Sequence, residues 1–407
     1  MSKMQSILLS RTAPMIGHLS AYAHANTLTN LFPDLFAGLD VVSRELVGFI
    51  PSVARNSNAE RAAVGENLRY QIAPAATVGD VAPAMAVPEP TDKTIGSDTI
   101  TISKSRQTSF GFTGEEQRGL NNGPGYLSVQ GDLFAQGLRA LVNEIEADLA
   151  LAAKLGASRA YGTAGTTPFA STLGDSAQMR KILDDNGAPG SERSLVISTA
   201  TGANLRTLTQ LTKANEAGTM MTLRQGELMD LHGFSVKESG QAVTHTKGTG
   251  ASATTNTAGY AIGATTITLA VAGTGTIVAG DVITFAGDTN KYVVVTGDAD
   301  VSNGGTLVLA APGLRQAIPA SATAITLSAN YVTNVGFSRN AIQLATRAPE
   351  LPNEGDLALD RMMITDPRSG MAFEVSLYPG YRKIRAEVAA AWGYKVVKTE
   401  HLGIMLG

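Results

Sequence analysis

Apolar residues recur at steps of three and four along residues 129–155, with polar residues between them. That spacing lines one face of an α-helix and leaves the other face polar. At 1.5 Å per residue the predicted helix is roughly 40 Å long. An apolar stripe of that length needs a long partner surface, so we expect this segment to be the spine helix of the protein. The apolar positions are Val129, Leu133, Phe134, Leu138, Leu141, Val142, Ile145, Leu149 and Ala152.

A second pattern, with period two, predicts a long hairpin over residues 67–113. Leu68, Tyr70 and Ile72 alternate with polar residues, as do Ile100 and Ile102. The connection between the two strands contains Pro and Gly, which favour a loop or an edge. A two-stranded ribbon is only marginally stable alone. We therefore expect this arm to rest on another copy of the chain; a disordered surface loop is the alternative that the composition leaves open.

The remaining pattern outside residues 245–330 mixes helices with strands, which indicates an α+β fold. Apolar positions at helical spacing predict helices at residues 35–49, 175–186 and 202–211, the first of them ended by Pro51; strands are predicted at residues 195–197, 233–238 and 373–377.

Composition changes sharply near Thr244. Residues 245–330 are rich in Thr, Gly, Ala and Val, and short apolar strands alternate there with turns that contain Gly and Asp or Asn. Regular short strands of this kind are typical of a small β-barrel or sandwich. The α+β pattern resumes afterwards, so we interpret this stretch as an inserted domain.

The overall composition narrows the class of protein. The chain has 407 residues, a net charge of −3 and no cysteine, and only 16% of its residues are charged. The charge balance does not favour tight sequence-independent DNA binding, and the short apolar runs contain no membrane span. Residues 1–25 are interpreted as a flexible or processed N-terminal extension, since their apolar run is too short and polar for a signal peptide.

The sequence offers little catalytic chemistry. None of the five histidines stands in a spacing that places two metal ligands on one face. Glu144 and Glu146 point apart on a helix and are interpreted as parts of a solvated face or as inter-subunit ion pairs. The Gly- and Thr-rich residues 161–168 lack the ending of a phosphate-binding loop, and residues 298–309 lack the Gly and Glu of a calcium loop. We therefore predict no catalytic, cofactor-binding or metal site.

Several stretches resemble the major capsid (coat) proteins of tailed bacteriophages, in particular the "gene protein five" family of the P-twenty-two-like phages. The resemblance covers about residues 26–407. It is carried by residues 39–51, which end in Phe49, Ile50 and Pro51, by the turn at residues 121–126, by the spine helix and by residues 381–406.

The resemblance implies the Hong Kong 97 capsid fold. Residues 1–60 would then be an N-terminal extension and arm, and residues 61–126 an extended loop. Residues 127–244 and 331–407 would form the peripheral and axial domains, and residues 245–330 an inserted β-barrel. On this interpretation the polar face of the spine helix, with Glu146 and Asp148, is expected to be exposed as a wall of a shell.

The implied function is structural. Such proteins form hexamers and pentamers of an icosahedral head around double-stranded DNA, which they contact loosely and without sequence specificity. They work with scaffolding and portal proteins, and a decoration protein is a further candidate partner. The implied location is the virion shell, and the host cytoplasm during assembly. The expected subunit-interface residues are Asp34, Arg44 and Glu45 in the arm and Asp80, Pro83 and Met85 in the loop.

Two rival functions remain from the sequence. The inserted β-domain would suit a virion-surface module that binds host glycans, in which case isolated residues 245–330 should bind glycans. An enzyme is the third hypothesis, without a supporting set of residues.

Overall fold

The computed structural model describes residues 47–72, 83, 95–121, 126–208, 230–365 and 371–407. Within these residues strands outnumber helices, and the α+β class predicted from the sequence is confirmed. The helix predicted for residues 35–49 lies outside the described residues up to residue 46, and Ile50–Ser52 form a 3-10 turn. The described α-helices are α1 (Gly114–Asn121), α2 (Tyr126–Gly156), α3 (Gly174–Asp185) and α4 (Thr199–Thr207).

The strands form two large sheets and one ribbon. They are β1 (Ala54–Ala62), β2 (Asn67–Ile72), β3 (Gly96–Thr101), β4 (Lys104–Thr113), β5 (Arg159–Tyr161), β6 (Arg193–Ser198), β7 (Phe234–Ser239), β8 (Thr244–His245), β9 (Thr266–Leu269), β10 (Val282–Phe285), β11 (Lys291–Thr296), β12 (Gly305–Leu309), β13 (Ile325–Leu327), β14 (Tyr331–Ser338), β15 (Ile342–Pro349), β16 (Asp360–Thr365), β17 (Ala372–Gly380), β18 (Lys383–Val396) and β19 (Leu402–Leu406).

Helix α2 is the predicted spine helix, and it packs along a six-stranded sheet. The sheet has the order β1-β15-β18-β17-β16, and β4 pairs with the long strand β18. Phe134 of α2 meets Phe110 of β4 edge to face, with ring centroids 4.7 Å apart. Burial of each large apolar side chain in this contact contributes about 1.5–3 kcal/mol. The fully buried apolar residues of α2 include Phe134, Leu138, Leu141, Val142, Ile145 and Leu149.

An eleven-stranded sheet contains the C-terminal strand. Its main path runs β13-β10-β11-β5-β19-β14-β6-β7, with β8, β9 and β12 paired beside it. Strand β19 is buried along its whole length, as the apolar sequence from residue 402 to 406 predicts. Helix α4 begins three residues before its predicted start, because the Ser198 hydroxyl caps it by accepting a hydrogen bond from the Thr201 N–H at 3.3 Å.

The predicted insert has a hydrophobic core of its own, built from residues between Ala253 and Ile325. Its strands β9 to β13 are short, as the sequence indicates. However, β11 also pairs with β5, in the register Lys291↔Ala160 and Tyr292↔Arg159. The insert is thus joined to the rest of the protein by backbone hydrogen bonds as well as by its two connections. The barrel and the domain boundaries stay predictions.

The predicted hairpin divides into a ribbon and a sheet strand. Strands β2 and β3 pair with each other from Asn67↔Thr101 to Ile72↔Gly96 and belong to neither large sheet. Strand β4 pairs with β18 instead. The chain changes partner between β3 and β4, where the Ser103 N–H donates to the Trp392 carbonyl at 3.0 Å.

The ribbon starts on the face of the six-stranded sheet opposite the spine helix. Ile100 and Ile102 pack there on Ala345 and Ala391. These alanines alternate along β15 and β18 with the residues that face α2, so they point to the other side of the sheet. Gly393 lies in the same row, and a Cβ atom at this position would be 2.1 Å from the Thr101 carbonyl oxygen. Small residues therefore make room for the chain to cross the sheet.

The crossing predicts a strong effect of a single methyl group. We expect Gly393→Ala to lower the free energy of unfolding by about 1–3 kcal/mol, because the backbone of the ribbon must move away. Gly240→Ala is the matched control, since nothing lies within 4 Å of the added atom. Its effect should stay within about 0.5 kcal/mol. Urea denaturation of the two variants and the parent chain measures both effects, and equal midpoints for the two variants would contradict the close crossing.

Candidate assembly site

Most of the predicted interface residues lie outside the described part of the chain. Asp34, Arg44 and Glu45 are among them, as are Asp80 and Met85; Pro83 is described and exposed. Five of the six predicted interface residues thus lie outside the described residues. It does describe where the two predicted segments join the body. We name these places the arm anchor (Gly48, Phe49, Ile50, Ser52, Glu146 and Ser239) and the ribbon base (Tyr70, Asp98, Ile100, Ile102, Gly393 and Lys395).

The arm anchor is built around the carboxylate of Glu146, which is fully buried in α2. Its Oε1 atom accepts hydrogen bonds from the backbone N–H groups of Gly48 at 2.6 Å and Phe49 at 2.8 Å. Its Oε2 atom accepts from the Ile50 N–H at 2.9 Å. The Ser239 hydroxyl at the end of β7 donates to Oε1 at 2.8 Å. One side chain thus binds three consecutive backbone donors and a second sheet.

The local backbone explains why a carboxylate fits there. Ile50–Ser52 form a 3-10 turn whose own N-cap residue, Phe49, provides no side-chain cap. The first N–H groups of a helical turn have no partner within the turn, and they carry partial positive charge. Glu146 supplies the missing acceptors from 97 residues away in the sequence. The segment before β1 is therefore held by α2.

Electrostatics at the arm anchor reflect burial. Burial raises the pKa of Glu146, and the hydrogen bonds from Phe49, Ile50, Ser239 and Gly48 oppose this shift by favouring the charged form. Beside it, Lys237 donates to the Ser52 hydroxyl oxygen at 3.1 Å. Buried charged groups are tolerated only with such partners.

Packing fixes the same segment from the other side. The Phe49 ring stacks on Phe337 with a centroid distance of 6.1 Å and an angle of 5° between the planes. Gly48 faces Val196, and a Cβ atom on Gly48 would lie 2.6 Å from the Val196 Cγ1 atom. Only glycine leaves room for this approach. The backbone at Gly48 and Phe49 is thus held in one position.

The expectation of an exposed polar wall at Glu146 and Asp148 is wrong. Both are buried, and Asp148 accepts hydrogen bonds from the Trp392 indole N–H at 2.9 Å and from Lys104 at 2.8 Å. The interpretation of Glu146 as part of a solvated or inter-subunit face is wrong for the same reason. The sequence held a signal for this: Glu146 follows Val142 by four residues and precedes Leu149 by three, so it lies on the apolar stripe itself.

The ribbon base is held by a charged pair. Lys395 of β18 donates to the Asp98 carboxylate and also to the Thr99 carbonyl at 3.1 Å. The Tyr70 hydroxyl donates to Asp98 from the other strand of the ribbon, at 2.7 Å. The hydrogen bond from Lys395, supported by those from Tyr70 and the Thr99 N–H, lowers the pKa of Asp98 to about 2. Both strands of the ribbon are thereby tied to β18.

The polar contacts of the two places join segments that are distant in the sequence: Glu146 binds the backbone of Gly48 to Ile50, and Lys395 binds Asp98. Within the described residues, no three His, Asp or Glu side chains gather as they would around a metal ion. None of the described helices combines the length and the apolar composition needed to cross a bilayer.

Comparison with known proteins gives similarities among solved structures only. No protein-family model matches the chain. No curated protein matches it either.

The capsid structure of the cyanophage P-SCSP1u has 10% identity and a TM-score of 0.46, with 87% of this chain and 86% of that chain covered. The mature capsid of bacteriophage PhiM1 has 11% identity and a TM-score of 0.43, covering 88% and 86%. A structure from Mycobacterium phage Che8 has 14% identity and a TM-score of 0.42, covering 84% of each chain.

The arm anchor predicts a large difference between two neighbouring glutamates. Glu146→Ala should lower the free energy of unfolding by several kcal/mol, because about 1–3 kcal/mol is lost for each buried N–H left without an acceptor. Glu146→Gln should cause a smaller loss than Glu146→Ala, because the amide oxygen of glutamine can still accept hydrogen bonds. Some loss remains because the NH₂ group would face a backbone N–H. The control is Glu144→Gln, which removes partly exposed pairs with Lys104 and Arg106 and should change stability by about 0–1 kcal/mol.

Fluorescence of the single tryptophan, Trp392, measures these effects during urea denaturation, because its side chain is fully buried in the native protein. If Glu146→Ala and Glu144→Gln shift the denaturation midpoint equally, Glu146 does not act as the anchor.

Proposed function

We propose that this chain is a structural major capsid subunit of the Hong Kong 97 type, which self-assembles into hexamers and pentamers of an icosahedral phage head enclosing double-stranded DNA. The sequence resemblance over about residues 26–407 supports this proposal. A long helix along a six-stranded sheet and an anchored arm agree with it. The proposal is a non-enzymatic role in the virion shell, reached by assembly in the host cytoplasm.

The observation that carries the proposal is the ribbon of β2 and β3. It is attached to the body at its base, through Ile100, Ile102 and Lys395, and it joins neither large sheet. A two-stranded ribbon is marginal without further packing. Near its two ends Val64 and Ile95 are exposed. A second copy of the chain is the partner that self-assembly supplies.

The domain assignment follows from the same proposal. Residues 1–60 would be the extension and arm, and residues 61–126 the extended loop; residues 127–244 and 331–407 would form the peripheral and axial domains around the inserted β-domain, residues 245–330. The arm around Asp34, Arg44 and Glu45 and the loop around Asp80, Pro83 and Met85 would contact neighbouring subunits.

The partners in this proposal are other copies of the chain, a scaffolding protein and a portal protein, with a decoration protein as a further candidate. DNA would be contacted loosely, in keeping with a net charge of −3.

Electron microscopy tests the proposal directly. The purified chain, alone or co-expressed with the scaffolding protein of its phage, should form shells, tubes or capsomers that are visible in negative stain. A chain that stays monomeric under all of these conditions would overturn the capsid function.

A deletion tests the role of the loop. A variant without residues 78–90 should remain soluble and folded but fail to form closed shells, because the loop would no longer reach its neighbour. Circular dichroism and the urea midpoint check the fold, and microscopy checks the shells. Normal shells from this variant would contradict the proposed interface at Asp80, Pro83 and Met85.

A further inference from the structure

Two exposed surfaces lie at the same end of the six-stranded sheet. Strand β16 begins at this end, β17 turns there into β18, and β4 finishes there. One surface is the segment before β16, residues 350–359, which we name the leucine loop. The other is the basic groove, lined by Phe112, Glu115, Tyr381, Arg382, Lys383 and Ile384.

The leucine loop presents apolar side chains to solvent from a fixed backbone. Leu357 is 84% exposed and Leu359 is 54% exposed. The Asp356 carboxylate accepts from Arg361 at 2.5 Å and from the Tyr378 hydroxyl at 2.9 Å, both on the sheet. The loop is therefore held in place although its leucines have no cover in the described chain. Leu357 and Leu359 therefore form an exposed apolar surface that a partner can cover.

The leucine loop is also acidic. Glu350 and Glu354 are exposed in it, while Asp356 is already paired with Arg361. No lysine or arginine occurs between residues 350 and 359. A partner that covers the two leucines should thus offer an apolar surface with basic residues at its rim.

The basic groove offers those properties. Its volume is about 590 Å³, and Phe112 and Ile384 contribute apolar surface. Tyr381 is 91% exposed at its edge, beside exposed Arg382 and Lys383. Glu115, in the first turn of α1, is the one acidic residue of the groove lining. Two cations and an exposed aromatic ring at one rim suit an acidic loop with leucines.

From this complementarity we propose that the leucine loop of one copy inserts into the basic groove of a second copy. The two surfaces lie on opposite sides of this end of the sheet. The leucine loop leads into β16, and the basic groove lies where β18 and β4 meet; β17 separates β16 from β18. A contact between two different surfaces of identical subunits is heterologous, and it closes into a ring when the rotation permits. The sheet ends of several copies would then meet around one axis.

This inference rests on the proposed self-association, but a crosslinking experiment separates the two. The natural chain has no cysteine, so single thiols can be introduced without side reactions. A tagged Asn353→Cys chain is mixed with an untagged Thr113→Cys chain, so that the two thiols lie in the leucine loop and the basic groove while Leu357, Leu359 and Tyr381 are kept. The mixture is allowed to assemble and treated with a short bismaleimide. The control mixture pairs tagged Asn353→Cys with untagged Val271→Cys, an exposed position in the insert.

The expected product is a mixed dimer that carries one tag, at least tenfold more abundant in the first mixture than in the control. Equal amounts in both mixtures would overturn the contact. If the parent chain forms shells while the mixed dimer stays at the control level, the contact fails and the capsid function stands. If the parent chain forms no assemblies and the mixed dimer also stays at the control level, both fail.

Charge reversal gives an independent readout of the same contact. Glu354→Lys or Arg382→Glu alone should reduce the yield of assemblies at least several-fold, since each places like charges together. The double variant should recover a large part of the yield. Circular dichroism confirms that all three variants are folded, and a double variant no better than the singles would contradict the pairing.

Discussion

The buried carboxylate of Glu146 is the interaction on which the described architecture depends. It joins three parts of the chain that are far apart in sequence: the segment at Gly48 to Ile50, the spine helix α2, and Ser239 at the end of β7. Removing a charge from water is unfavourable, and only a full set of donors offsets it. Because four donors share one acceptor group, moving any one part disturbs the other two. The anchor therefore defines a single arrangement of helix, arm and second sheet.

The two faces of the six-stranded sheet carry side chains of different size. The face toward α2 carries large apolar residues that fill the space under a long helix. On the other face, Ala345, Ala391 and Gly393 form a row of small residues, so the backbone of a strand can cross in direct contact with the sheet. Further along the same face, Glu374 bonds to Arg61 and Arg361, and polar residues replace apolar ones. Side-chain size thus decides where the ribbon leaves the body.

Periodicity predicted the elements that depend on local pattern. The spine helix and the pairing of β2 with β3 follow from spacing alone, and the structure confirms them. Long-range strand partners do not follow from spacing, because the pairing of β1 with β15 and of β11 with β5 joins residues that are more than 100 positions apart. The residue type of Glu146 predicts a solvated position, whereas its place on the apolar stripe predicts burial, and in the structure the side chain is buried. The interface predicted at Asp34 to Glu45 and at Asp80 to Met85 stays a prediction.

The hydrogen bonds between β11 and β5 have a mechanical consequence. Strand β5 follows the last turn of α2 after only two residues, Ala157 and Ser158. A force applied to the insert through β11 therefore reaches the end of the spine helix through backbone hydrogen bonds and a short covalent link. The same end of the helix lies against the six-stranded sheet, since Gly156 of α2 faces Val396 of β18. Moving the insert away from this junction therefore requires breaking the backbone hydrogen bonds between β11 and β5.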